Sequence, residues 1–406
     1  VITVYRFPTI LASVLMLTFC HCEAQQSASV TIPVQVASGL VYMQGQVNRS
    51  GPLNVVLDTG SSFSIVDPSV AQAAGLTSSQ SVEAAGIGKG ASQTVHLFED
   101  SELQWGNPTN PLQLFHQKGA MLPIHYISEQ VGKRADAIFG SNLFLNYTLT
   151  VDYQEQRATF TPTDSEAKPS GTAIPIEIFG NVPFVEATIQ GDDGEKVSGR
   201  FVLDSGTAGA MILGKKFLEA HPRLIDKIHF ADGPTVTAVG GQIHSQRIQI
   251  QEVSMGPFVF SKVIANVPDA SVGILSNDSI AGTIGAGIFR RFTVTWDYAR
   301  KQMFLSPNSV LKDPFETDSS GLHLVSSGPS YETSVVDSVL PGSPAALAGL
   351  SPGDQIIAID GTKGLPLWRI AKIFSEAGRS VDVAVQRKSS MLQLKLLLRS
   401  PFQNAN

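Results

Sequence analysis

Between roughly residues 30 and 307, short runs of alternating apolar and polar residues, broken by Gly, Pro, Asn or Asp, predict strands rather than long helices. Ile32-Pro33-Val34-Gln35-Val36 and Ile174-Pro175-Ile176-Glu177-Ile178 each read as one alternating strand that leads through a glycine to another. Two runs are unbroken instead: Val55-Val56-Leu57 and Phe201-Val202-Leu203. Consecutive apolar residues mark a strand covered on both faces. Each of these ends on an acid and a glycine, Asp58-Thr59-Gly60-Ser61 and Asp204-Ser205-Gly206-Thr207. The glycine lets the backbone fold back tightly, so the acid is held at a rigid turn.

One such turn is ordinary, because Asp, Ser and Gly suit turns anyway. The surroundings repeat as well. Ile138-Phe139-Gly140 leads to Leu149 through Tyr153, and Thr283-Ile284-Gly285 leads to Val294 through Tyr298. The spacing between copies is 142 at Pro33/Pro175, 146 at Asp58/Asp204 and 145 at Gly140/Gly285, which places a small insertion around Asp192 to Gly199. An internal repeat of this kind predicts two related lobes, at 30–162 and 173–307. Each copy also carries a glycine-rich stretch, with Gly86, Ile87 and Gly88 in the first and Gly240 and Gly241 in the second. A hairpin tip and a flap over a cleft are both open for these stretches, while their strand-like flanks argue against a phosphate loop.

The chain has 406 residues, of which 43% are hydrophobic and 16% charged, enough for several cored domains, and its net charge of −6 shows no basic patch for nucleic acid. Phe7 to Cys22, behind Arg6, is too short to cross a bilayer and is similar to a secretory signal peptide spanning 1–24, with a retained anchor as the competing reading. Both cysteines, Cys20 and Cys22, fall in this segment, so a processed chain forms no disulfide. The eight histidines have no metal-ligand spacing, and neither a metal nor another cofactor is expected.

Two Asp-Thr/Ser-Gly turns, each followed by an apolar-apolar-Gly motif in a duplicated β chain, resemble the aspartic protease superfamily, in particular single-chain retropepsin-like bacterial members. The resemblance implies that Asp58 and Asp204 meet across the lobe interface as a catalytic pair sharing one proton. It gives Ser61 and Thr207 the role of hydroxyls on the outer carboxylate oxygens. Thr59 and Ser205 become the hydroxyls that reach to the opposite lobe, and Gly60 and Gly206 offer their N–H groups to the carboxylates. The first glycine-rich stretch lacks the flap tyrosine of pepsins, which leaves Ile87 or backbone groups to close over substrate.

After a polar linker from Pro307 to Ser320, the composition changes. The run PGSPAALAGLSPGDQIIAIDG, from Pro341 to Gly361, resembles bacterial PDZ domains, here over 320–400. In that family an extended peptide adds as a strand beside a groove helix, and its terminal carboxylate rests on loop N–H groups. Gly321-Leu322-His323-Leu324 matches the loop, with His323 in place of a usual glycine, and Leu367 to Ala377 matches the helix. Trp368, Ile370 and Phe374 on that helix suit either core packing or ligand contact.

The expected fold is mainly β: two duplicated aspartic-protease-like lobes with a cleft between them, followed by an α+β PDZ domain. The expected function is that of an exported, secreted or periplasmic aspartic endopeptidase acting on protein or peptide substrates, with the PDZ domain binding a peptide or partner. No nucleic acid and no stable membrane span in the processed chain are expected. The competing function is a non-catalytic peptide-binding protein on the same fold.

Overall fold

The computed structural model describes residues 29–84, 93–226, 228–233, 235–238, 241–270 and 273–402. The expected signal peptide and the flap candidates Gly86, Ile87, Gly88 and Gly240 lie outside them. In the first lobe, strand β1 (Leu53–Leu57) carries Asp58 at its end, helix α1 is His125–Val131, and β2 is Ala137–Phe139. The eight strands of this lobe run in the spatial order 35–37, 40–47, β1, β2, 64–66, 110–121, 93–107 and 80–84, and a further pairing of 40–47 with 93–107 folds the sheet on itself.

The second lobe repeats that order, with β3 (Lys196–Leu203) ending at Asp204 and β4 (Gly282–Ile284) in the place of β2. Both acid-bearing strands pair in parallel with these short partners, Leu57 opposite Phe139 and Leu203 opposite Ile284. They lie inside their sheets with both faces covered, which is why their sequences do not alternate. Val55, Leu57, Phe201 and Leu203 are buried in one core shared by the two lobes.

A six-stranded antiparallel sheet joins the lobes. Its two inner strands, 147–152 and 292–297, place Thr150 opposite Thr295, with their hydroxyls 2.8 Å apart. The expected single strands over Ile32–Val36 and Ile174–Ile178 are each two strands, 30–33 with 35–37 and 172–175 with 177–179. The first piece of each belongs to the joining sheet and the second to its own lobe. The break follows Pro33 and Pro175, which have no N–H to continue a ladder.

The PDZ domain has five strands in one path, in the order β5 (Leu322–Ser327), 333–339, 355–359, 380–387 and 390–397, and its groove helix is α2 (Leu367–Phe374). Val336, Ile356, Ile370, Phe374 and Val383 form a core separate from that of the lobes. The linker between is tied down. Buried Arg291 donates to the carbonyls of Gly287, Val310, Leu311, Asp313 and Pro314, and its guanidinium lies 3.9 Å from the Phe315 ring centre. Glu316 bridges Arg290 of the second lobe, at 2.8 Å, to Lys372 of α2.

Candidate active site

Each catalytic candidate is fixed by the backbone of its own lobe. The Asp58 N–H donates to Phe139 O at 3.1 Å, and the Asp204 N–H to Ile284 O at 2.9 Å. The next residues lock the lobes together. Thr59 Oγ1 donates to Leu203 O (2.8 Å) and accepts from Ser205 N (2.9 Å). Reciprocally, Ser205 Oγ donates to Leu57 O (3.0 Å) and accepts from Thr59 N (3.0 Å). Thr59 and Ser205 are both buried. These four bonds fix the separation of the two acids, and breaking one leaves a buried polar group without a partner.

Gly60 N donates to Asp58 Oδ1 at 2.7 Å, and Gly206 N to Asp204 Oδ1 at 2.8 Å. Each glycine also faces the acid of the other lobe. A Cβ on Gly60 would lie 2.5 Å from Asp204 Cγ, and one on Gly206 would lie 2.6 Å from Asp58 Cγ. The missing side chains therefore let the carboxyls approach each other.

The outer hydroxyls do not match. Thr207 Oγ1 donates to Asp204 Oδ2 at 3.0 Å as expected. The expected role of Ser61 is corrected: its Oγ donates to Phe63 O at 2.7 Å, not to Asp58. The Thr207 methyl is held against Gly285, where an added Cβ would come within 2.8 Å of it. That contact leaves the Thr207 hydroxyl pointing at the acid, whereas Ser61 has no methyl to hold its rotamer and turns to a nearby carbonyl.

Desolvation raises the pKa of Asp58, and the charge of Asp204 and a hydrogen bond with the Asp204 carboxyl raise it further. Two carboxylates this close do not both ionise, so the pair holds one proton, and Asp58, whose pKa is raised, is its natural carrier.

Two tyrosines border the pair. Tyr298 donates to Thr59 O at 3.4 Å and stacks on Phe144 with ring centres 5.3 Å apart. It stands at the end of a repeat landmark visible in the sequence. Tyr126 of α1 carried no such signal. Desolvation, then the fields of Asp58 and Asp204, hold the phenols of both tyrosines above their ordinary value.

Gly241 opens the long strand 241–255, at the tip of its pairing with 235–238. In the PDZ loop, Asp318 accepts from Gly321 N (2.7 Å), and Ser320 Oγ accepts from Leu322 N (3.0 Å). His323 pairs with Asp337 at 3.0 Å, and Leu322 and Leu324 are buried in the PDZ core. Ile370 and Phe374 also belong to that core, whereas Trp368 packs against the first lobe. Among the described residues, no group of three or more His, Cys, Asp or Glu is arranged to hold a metal, and no helix is long and apolar enough to cross a membrane.

Two carboxyls thus face each other across a duplicated β fold. Residues 43–142 match the aspartyl protease family model, and residues 335–387 match the PDZ domain model. Similar solved structures include an aspartic proteinase from Irpex lacteus, 14% identical, covering 70% of this chain and 99% of that one with a TM-score of 0.45. A retropepsin-like aspartic protease from Rickettsia conorii is 17% identical, over 33% of this chain and 88% of that one, with a TM-score of 0.25. A photosystem II D1 C-terminal processing protease is 32% identical over 21% of this chain and 24% of that one, with a TM-score of 0.19. No curated protein matches the chain. One chain thus carries an aspartyl protease match over 43–142 and a PDZ match over 335–387.

Proposed function

We propose that this protein is an exported aspartic endopeptidase that hydrolyses peptide bonds with a water activated between Asp58 and Asp204. The observation that supports this reading is the reciprocal Thr59–Ser205 bonding, which fixes the two acid-bearing turns against each other. A binding protein gains nothing from holding two mutually repelling acids in contact.

In the catalytic cycle the ionised carboxyl, Asp204, takes a proton from water as the water attacks the substrate carbonyl carbon. Protonated Asp58 donates to the carbonyl oxygen, giving a neutral tetrahedral diol. Collapse breaks the C–N bond while the Asp204 proton passes to the leaving nitrogen and a diol hydroxyl returns its proton to Asp58, so the pair ends singly protonated. The Thr207 hydroxyl and the Gly206 N–H hold Asp204 in orientation for the first step. Substrates are proteins or peptides able to extend through the cleft, and the PDZ domain binds a peptide or partner protein.

Incubating the purified protein with a mixed peptide library tests this reading. Internal cuts that disappear in both Asp58→Asn and Asp204→Asn support it. A parent that cuts nothing, or variants that cut equally well, would leave a peptide-binding role instead.

A further inference from the structure

The first lobe and the PDZ domain meet along α1, which lies against β5 and touches α2. They are in close contact at Gly132, which ends α1 with a φ of 70°. A Cβ there would lie 2.6 Å from Leu367 Cβ and 2.8 Å from Leu367 N, both on α2. Beside this contact the two surfaces part into an open cleft of about 460 Å³, whose lining shares only Trp368 with the cavity beside β5.

The first-lobe side of the cleft carries Lys133 and Arg134 and the PDZ side Arg369, and none of the side chains lining it is acidic. One of the three charges is already balanced. Arg134 Nε donates to Asp136 Oδ1 at 2.6 Å, and the buried Asp136 carboxylate also accepts from Asn54 N at 2.8 Å. Glu332, two residues after Ser330 of the cleft wall, accepts from the Ser330 N–H at 3.0 Å and does not line the cleft.

Lys133 and Arg369 have no such partner. Lys133 Nζ donates to the amide oxygen of Gln35 at 2.8 Å and stands 5.1 Å from the centre of the Tyr42 ring. Burial holds its pKa below the ordinary lysine value. The Arg369 guanidinium lies 5.0 Å from the Trp368 ring centre and makes no ion pair or hydrogen bond among the described residues. Withdrawing an ammonium from water without an opposite charge costs free energy, which an anion beside it offsets. The start of α2 adds to this field: its first turn has no side-chain cap, and Pro366 and Trp368 line the same cleft. Against Gly132, Ser326 Oγ is buried with no hydrogen-bond partner.

The cleft therefore holds two positive charges in excess, one from each domain. A carboxylate would balance one of them. A phosphate group carries about two negative charges at neutral pH and several strong acceptor oxygens in a tetrahedral array, so it can meet an ammonium and a guanidinium from different sides.

We propose that the cleft between the first lobe and the PDZ domain binds a phosphate group, held by Lys133 and Arg369, so that one anion ties the two domains together. Dissolved phosphate and the phosphate monoester headgroup of a lipid surface offer the same chemistry. The inference does not depend on the protease reading, since none of its readouts needs cleavage.

The test titrates the full chain with inorganic phosphate at constant ionic strength, against chloride, by calorimetry. Saturable one-site binding in the millimolar range or tighter is expected, with a melting temperature that rises as phosphate is added. Lys133→Gln and Arg369→Gln are each expected to weaken binding by at least about tenfold, the loss of a bond between charged groups, and together to abolish it. Lys168→Gln, exposed between the two lobes, is expected to leave it unchanged. Cooperative melting in chloride at the parent's temperature shows that the variants fold. Phosphate is also expected to slow amide hydrogen exchange at 132–134 and 367–369 together. Vesicles of phosphatidylcholine with and without phosphatidic acid separate the sources: cosedimentation that needs phosphatidic acid and is competed by phosphate makes a lipid surface the source, and phosphate binding without cosedimentation makes it a soluble one. Neither saturable heat nor cosedimentation, binding that the folded double variant retains, or protection confined to one domain would each overturn the proposal.

Discussion

The two lobes share a strand order and a motif, yet they do not treat their acids alike. Asp204 is buried and receives both the Gly206 N–H and the Thr207 hydroxyl. Asp58 is half-buried and receives only the Gly60 N–H from its own turn, because Ser61 has turned to Phe63. The second difference lies between the long hairpin and the short closing strand. There the first lobe has α1, with Tyr126, and the second, among its described residues, has a single 3₁₀ turn, Gly273–Ser276. A duplicated fold thus yields a polarised pair: one acid with two donors from its own turn, one with a single donor, and the helix that lies along β5 in the first lobe.

The comparison breaks most severely if either acid is neutralised. Asp58→Asn and Asp204→Asn should each reduce kcat by at least about 10²–10⁴-fold, the usual worth of a positioned acid or base, in a peptide-cleavage assay. The two variants part in stability. An Asp that holds its proton more tightly folded than unfolded binds more protons in the native state between the ordinary carboxylate value and its raised one. The parent therefore loses stability as pH rises through that window, whereas Asp58→Asn carries no such loss. Its melting temperature relative to the parent should climb as pH rises above the ordinary carboxylate range. A constant difference would remove the proton from Asp58.

Next in size are the glycines. Gly60→Ala and Gly206→Ala push a methyl into the opposite carboxyl and should each destabilise the protein by about 1–3 kcal/mol, the usual cost of overpacking, with near-complete loss of cleavage. Chemical denaturation alongside activity measures both. Smaller still is the hydroxyl asymmetry. Thr207→Val removes a bond to a charged acceptor worth about 1.5–3 kcal/mol and should cost roughly ten- to a hundredfold in kcat/KM. Ser61→Ala should leave kcat/KM within about twofold, since its hydroxyl serves Phe63 O and not Asp58. Equal losses at the two positions would contradict the polarised site.

Much of the pair was legible in the sequence because its geometry is local. A strand buried on both faces, an acid and a glycine occupy a handful of consecutive residues, and the repeat supplies the partner. Ser61 was misread for a reason the sequence does not carry: which way a small hydroxyl turns depends on the Thr207 methyl being lodged at Gly285, far along the chain. Pro33 and Pro175 were visible, but not that each marks a passage from one sheet to another. α1 was missed outright. It is seven residues long, has no side-chain cap on its first turn, and falls in a stretch the second lobe does not repeat. Its position is set by packing on β5 and α2, some two hundred residues later, and Tyr126 follows it to the acids. The expected flap residues Gly86, Ile87, Gly88 and Gly240 lie outside the described residues, whereas Tyr126 and Tyr298 stand within reach of the fields of both acids.

The most direct test of the shared proton is the pH dependence of kcat/KM for the parent on one peptide substrate. Asp58 must carry a proton while Asp204 does not, so a bell is expected whose alkaline limb lies above the ordinary carboxylate range, the direction in which burial and Asp204 move Asp58. A profile without an alkaline limb, or one whose limb falls within the ordinary carboxylate range, would contradict it.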